Sequence, residues 1–226
     1  MLEVTVKVNK LERENSNIVG LAQLNFGGQF KVKSIDLVNG KDGVFVSMPS
    51  YKTNEVDANG KPVYKEICNP ITKECREALY NGIIEAYNSG TETVVALNYD
   101  EKLHFDSRVT AFDKEGTNAK GIGTLYLNDM FVCNNILVYE GKNKPFVSMP
   151  SYKTSEVDAN GKPVYKDICY GVTAEAKKAI DNTVLGEYSK SKERFSLVDK
   201  VDQAIMKAAG LDSSATPQHN RDEQTR

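Results

Sequence analysis

The chain contains no tryptophan and only two histidines, His104 and His219. Neither histidine sits in a nucleophile or metal motif, and no phosphate-cradling glycine loop opens a helix, so the residue types argue against an enzyme. Four cysteines (Cys68, Cys75, Cys133, Cys169) form no C-x-x-C pair and have no clustered histidine. Their spacing points to neither a zinc motif nor a disulfide framework, and no metal or cofactor is expected. No apolar run approaches the roughly 20 residues that span a bilayer, and the opening "MLEVTVKVNKLEREN" lacks the apolar stretch of a signal peptide. The expected location is the cytoplasm, with no membrane partner. A net charge of −2 supplies no global attraction to polyanions, so nucleic-acid binding would need a local basic patch.

What the chain does have is a repetition. "FVSMPSYKTNEVDANGKPVYKEIC" (Phe45 to Cys68) returns as "FVSMPSYKTSEVDANGKPVYKDIC" (Phe146 to Cys169), 101 positions later, changed only at Asn54/Ser155 and Glu66/Asp167. The similarity extends without gaps: Leu24 falls on Leu125, Phe30 on Phe131, Gly40 on Gly141, Thr72 on Thr173 and Tyr87 on Tyr188. Two copies are too few for a solenoid, so the pattern reads as a duplicated domain. The expected organisation is a first copy at 1–87, a linker at 88–102 and a second copy at 103–188. A basic segment with a short helix at 189–210 and a disordered tail at 211–226 would follow.

Each copy reads as strands followed by one helix, an α+β domain. "VTVKV" alternates polar and apolar residues, and Ile18 to Phe26 is apolar-rich, both consistent with half-buried strands. Gly27-Gly28 and Asn128-Asp129 occupy equivalent positions between such runs, and both pairs tolerate the positive φ of a two-residue hairpin turn. The alternation Phe30, Lys31, Val32, Lys33 slips in phase at Ser34 and Ile35, which predicts a bulge or burial on both faces. Pro49 and Pro150 should end the next strand. From Ile71 the apolar residues recur every three or four positions as far as Tyr87, which predicts a helix capped by Thr72, with Thr173 equivalent. "TVVAL" in the linker is a candidate extra strand. Ser196 and Asp199 resemble a capping box for a helix over 196–209, with Gly210 as its C-cap.

The strand meander, "FVSMPS", the following lysine and threonine, "YKEI" or "YKDI", and a helix ending in tyrosine resemble the SpoVG (stage V sporulation protein G, septation regulator) family. That resemblance covers about 86 residues per copy. It implies small β-sheet domains, each backed by a C-terminal helix, that associate as homodimers in a cytoplasmic bacterial regulator of septation and sporulation binding DNA or RNA. It places basic binding positions at Lys52 and Lys153, at Lys65 and Lys166, and at Arg76 with Lys177 beside it in the second copy. Where family members usually carry a second basic residue after "MPS", this chain has Tyr51 and Tyr152, and its next turn is longer. Fusing two copies would convert a bimolecular association into an intramolecular one, giving a pseudo-twofold dimer in one chain that could still pair with a second chain.

The residues of the repeated stretch leave several readings open. Tyr51-Lys52, Tyr64-Lys65, Tyr152-Lys153 and Tyr165-Lys166 interleave aromatic and basic side chains, a combination suited to stacking on bases and contacting phosphates. The same tyrosines could instead pack on the helix. Asn59-Gly60 and Asn160-Gly161 predict type I′ hairpin turns. Glu55, Asp57, Asn59, Gly60 and Glu66 also fit part of a calcium-loop template, although Pro62 and the flanking strands do not. The duplicated loops could alternatively dock a protein partner without binding nucleic acid.

Overall fold

The computed structural model describes residues 1–208; the expected C-cap Gly210 and the tail 211–226 lie outside that range. The first copy forms β1 (Leu2–Lys10), β2 (Ile18–Phe26), β3 (Phe30–Gly40), β4 (Gly43–Ser47), β5 (Ser50–Val56), β6 (Pro62–Glu66), β7 (Cys68–Pro70) and α1 (Lys73–Ser89). A linker strand, β8 (Thr93–Leu97), follows. The second copy forms β9 (Phe105–Ala111), β10 (Ala119–Leu127), β11 (Phe131–Tyr139), β12 (Phe146–Ser148), β13 (Ser151–Val157), β14 (Pro163–Asp167), β15 (Cys169–Gly171) and α2 (Ala174–Ala208). The two tandem α+β halves are those that the repeat implied.

Local chemistry accounts for most of these elements. Gly27 and Gly28 have φ of 53° and 68°, and Asn128 and Asp129 have 45° and 51°, so both hairpins close on the positive-φ turn that their residues tolerate. Ser34 and Asn135, equivalent in the two copies, have φ of 58° and 60°. The register shifts opposite them, between Ala22 and Leu24 and between Gly123 and Leu125, so the phase slip is a bulge. Thr72 Oγ1 accepts the Cys75 N–H at 3.2 Å, and Thr173 Oγ1 accepts the Ala176 N–H at 3.0 Å. The caps therefore sit where expected.

The halves are joined by reciprocal strand exchange. β7 of the first copy pairs with β11 of the second (Cys68 with Cys133, Pro70 with Phe131), while β15 of the second pairs with β3 of the first (Cys169 with Val32, Gly171 with Phe30). A shift of 101 residues converts one pairing into the other, which is a pseudo-twofold relation. The resulting sheets run β15-β3-β2-β1-β8, with β4 also on β3, and β12-β11-β10-β9, with β7 also on β11. One apolar core runs through both halves. Across the seam, the Phe26 and Phe131 rings lie 5.0 Å apart and those of Phe30 and Phe105 6.1 Å apart, tilted geometries that favour aromatic pairs.

The linker strand forms where the sequence reading offered one, whereas the second helix is longer than expected. The linker "TVVAL" becomes β8, antiparallel to β1, with Val95 and Leu97 buried. The second helix does not stop at Tyr188 and restart at Ser196; it continues from Ala174 to Ala208. "SKSKERF" contains no glycine or proline, so polarity alone gives the helix no reason to end. Buried Ser191 also ties it to the sheet by accepting the Ala111 N–H at 2.9 Å.

Helix α1 packs on β1 and β8 through Gly82, where an added Cβ would lie 2.3 Å from Val95 Cγ2. Gly82→Ala would gain about 1 kcal/mol of helix propensity but would force apart a β-branched neighbour, at about 1–3 kcal/mol. Net destabilisation is expected, as a lower urea midpoint; an unchanged or higher midpoint would contradict this packing.

Candidate nucleic-acid interface

The repeated stretch folds in each half as an isolated two-stranded ribbon, β5 with β6 and β13 with β14. Tyr51 pairs with Lys65 and Lys52 with Tyr64; in the second ribbon Tyr152 pairs with Lys166 and Lys153 with Tyr165. Because side chains alternate along a strand, each ribbon face carries one tyrosine and one lysine side by side. The tyrosines do not pack on the helices. Tyr64 and Tyr165 are 62% and 61% exposed, so their rings are open to a ligand.

The ribbon tips are three-residue turns, not the type I′ turns expected from Asn-Gly. Asp57 and Lys61 close the ladder, the Gly60 N–H donates to Asp57 O at 2.9 Å, and Gly60 alone takes positive φ, at 73°. This is a type I turn followed by a left-handed glycine. Asp57 accounts for the change: its Oδ1 accepts the N–H groups of Asn59 and Lys61, both at 2.8 Å, and Asp158 does the same in the second ribbon. These carboxylates cap their own turns, and Glu55 pairs with Lys65. The loop therefore presents no convergent calcium cage, and no acidic trio comes together among the described residues.

The predicted lysines divide into two kinds. Lys65 Nζ lies 3.4 Å from Glu55 Oε1, and Lys166 Nζ 3.0 Å from Glu156 Oε1. The hydrogen bond to Glu156 raises the Lys166 pKa above the usual lysine value. Lys52 and Lys153 make no ion pair among the described residues. The remaining candidates lie on the helices. Arg76 donates to Pro70 O at 2.9 Å and to Tyr80 Oη at 3.1 Å, so it holds the end of exchanged strand β7. Lys177 is exposed on α2 near Asp181, whose pKa burial raises and Lys177 lowers.

Sequence reasoning missed the surface beside each ribbon. The ribbon of the first copy overhangs the sheet of the second, forming a groove of about 670 Å³ lined by Tyr51, Lys65, Arg108, Ile122, Thr124 and Asn134. Arg108 is exposed and lies 5.7 Å from the Tyr126 ring. Its equivalent in the first copy is Lys7, which pairs across the sheet with Gln23, while Asn134 is replaced by Lys33, 4.9 Å from the Tyr170 ring. The alternation Phe30, Lys31, Val32, Lys33 was the available signal. Phe30 and Val32 are fully buried, which turns Lys31 and Lys33 to the other face of the sheet.

The SpoVG family model matches residues 1–89 and 104–190. The chain belongs to the SpoVG family. Similar relatives named as septation protein SpoVG occur in Clostridium beijerinckii (31% identical over 90 residues, 40% of this chain and 91% of the relative) and in a Thermoanaerobacter species (33% over 89 residues, 39% and 89%). Another, from Aster yellows witches'-broom phytoplasma, is 35% identical over 82 residues, covering 36% of this chain and 76% of its own. Each alignment is about as long as one copy, so this SpoVG protein contains two family domains where these relatives align over one. No helix among its described residues is long and apolar enough to cross a membrane.

Proposed function

We propose that this double SpoVG protein is a non-enzymatic, cytoplasmic regulator that binds single-stranded nucleic acid through its twin ribbons and the sheet faces beside them. It would act in septation, the process in the names of its relatives, or in the control of gene expression. The observation that carries the reading is the pair of exposed ribbons, each placing tyrosine beside lysine on both faces. Lysine neutralises phosphate and tyrosine offers a stacking platform for any base. Lys7, Lys31, Lys33 and Arg108 extend the positive surface next to the ribbons. Strand exchange fixes the two ribbons in one molecule, so a strand engaged by one meets the other at a high effective concentration.

The Glu55–Lys65 and Glu156–Lys166 pairs restrain this surface, and relieving them tests the proposal. Both pairs are exposed and therefore weak, so Glu55→Gln with Glu156→Gln should tighten binding of a fluorescent oligonucleotide measurably without changing the fold. Its salt dependence should also steepen as two more lysines reach phosphate. If the double variant bound no better than the parent, the ribbons would not be reading phosphate. Their exposed tips, with Val56 and Val157 each 65% accessible, would then be better explained as protein-docking elements.

A further inference from the structure

Strand exchange brings together three cysteines that are distant in sequence. Cys68 lies on β7, Cys169 on β15 and Cys133 on β11, and all three are fully buried. Their Sγ atoms lie within 4.8 Å of one another. Cys68 and Cys169 are repeat equivalents, so they approach each other across the pseudo-twofold relation. Cys133 pairs with Cys68 as Val32 pairs with Cys169. The site is thus a four-position arrangement with three sulfurs and one valine.

We propose that Cys68, Cys133 and Cys169 form a binding site, at the seam between the two halves, for one thiophilic ion of trigonal sulfur coordination. Thiolates select soft ions. An ion held at about 2.3 Å from each sulfur sets its three ligands about 4.0 Å apart, within reach of the separations present. Zinc prefers four ligands, and its structural sites are closed tetrahedra; here the fourth position is an apolar side chain with no exposed surface. Charge further ranks the occupants. Three thiolates around a trivalent centre make a neutral complex, whereas a monovalent ion leaves net charge in an apolar interior, where charge is costly. Arsenite binds with balanced chemistry: each of three As–O bonds is replaced by an As–S bond, each hydroxide leaves as water with one thiol proton, and no oxidant is consumed. Cuprous ion would exchange only protons.

The site also has a structural consequence. An occupant would tie both exchanged strands to β11 and so clamp the two halves together. Cys75, buried in α1 with its thiol pushed up to about 12 by burial, is outside the cluster and serves as an internal control.

The test is anaerobic titration of the reduced full chain, both folded and during refolding, with arsenite, cuprous ion and zinc in separate arms. Stoichiometry is read by native mass spectrometry and protection by thiol counting. Expected is one arsenite per chain, with three of the four thiols protected, unaffected by Cys75→Ser and abolished by Cys133→Ser. Uptake of cuprous ion in place of arsenite at the same three thiols would support the site with a monovalent occupant. Val32→Cys keeps the proposal falsifiable if Cys133→Ser fails to fold, because a fourth sulfur should convert the site to one that binds zinc or cobalt(II) tetrahedrally. The proposal is overturned if neither arsenite nor cuprous ion is bound, or if binding survives Cys133→Ser. It is also overturned if Val32→Cys gains no zinc affinity.

Discussion

Phe131→Ala is expected to destabilise the whole protein by about 3–5 kcal/mol, the cost of removing a fully buried aromatic ring. Phe131 has no exposed surface, lies 5.0 Å from Phe26 of the other half, and sits opposite Pro70 of the exchanged strand. The cavity would therefore open at the seam. Typical domains have only about 5–15 kcal/mol of stability in total, so the loss should move the urea midpoint far to the left. The transition should remain single, because the core that loses the ring belongs to both halves. Phe45, which is 51% exposed, provides the contrast: Phe45→Ala should change stability by no more than about 0.5 kcal/mol. Selective melting of the second half in Phe131→Ala would show that the halves fold independently, against the strand-exchange architecture.

The second large effect concerns binding. Replacing Lys52, Tyr64, Lys153 and Tyr165 together with alanine should weaken single-stranded oligonucleotide binding by at least thirty-fold. Stacking is worth about 1–3 kcal/mol per base by alanine substitution, and two tyrosines are removed along with the two lysines that make no ion pair among the described residues. These four side chains are exposed and carry none of the core, so the thermal unfolding midpoint should barely move. That separation of binding from stability is the informative part. A variant that keeps parental affinity would relocate the interface to the sheet faces around Lys33 and Arg108, away from the ribbons.

Much of this architecture was legible in the residues because it rests on local chemistry. Gly27-Gly28 and Asn128-Asp129 share a backbone requirement, Thr72 and Thr173 cap helices, and the phase slip at Ser34 marks a bulge. The exchanged strands were not legible. Cys68–Pro70 and Cys169–Gly171 are three residues each, too short to show any period, and their partners lie in the other copy. For the same reason the cysteine cluster could not be read from spacing, since only the seam brings its members together. The second helix runs on past Tyr188 because the basic segment that follows contains no glycine, proline or capping motif to end it locally. At the ribbon tips, Asn-Gly pointed to a two-residue turn, but the Asp57 and Asp158 carboxylates bind their own backbone and lengthen it.

Site residues followed the same division. Tyr51, Lys52, Lys65 and their equivalents came from one contiguous motif, and the structure brings them together on the ribbons. Arg76 and Lys177 came by family analogy from the helix: Arg76 donates to Pro70 O and Tyr80 Oη, and Lys177 lines a cleft with Asp167 at the end of β14. Lys7, Lys33 and Arg108 needed the sheet registers before their shared face with the ribbons could be recognised.

The most direct test of the central claim is the salt dependence of binding, measured by fluorescence anisotropy with single-stranded RNA, single-stranded DNA and duplex DNA. For single strands log Kobs should fall with log salt at a slope of about −0.7 per phosphate contacted. With Lys52, Lys153 and neighbouring sheet cations engaged, a slope of about −2 to −4 is expected, together with preference for single strands over duplex. Absence of binding at low salt, or affinity indifferent to salt, would contradict a nucleic-acid surface built from these lysines and tyrosines.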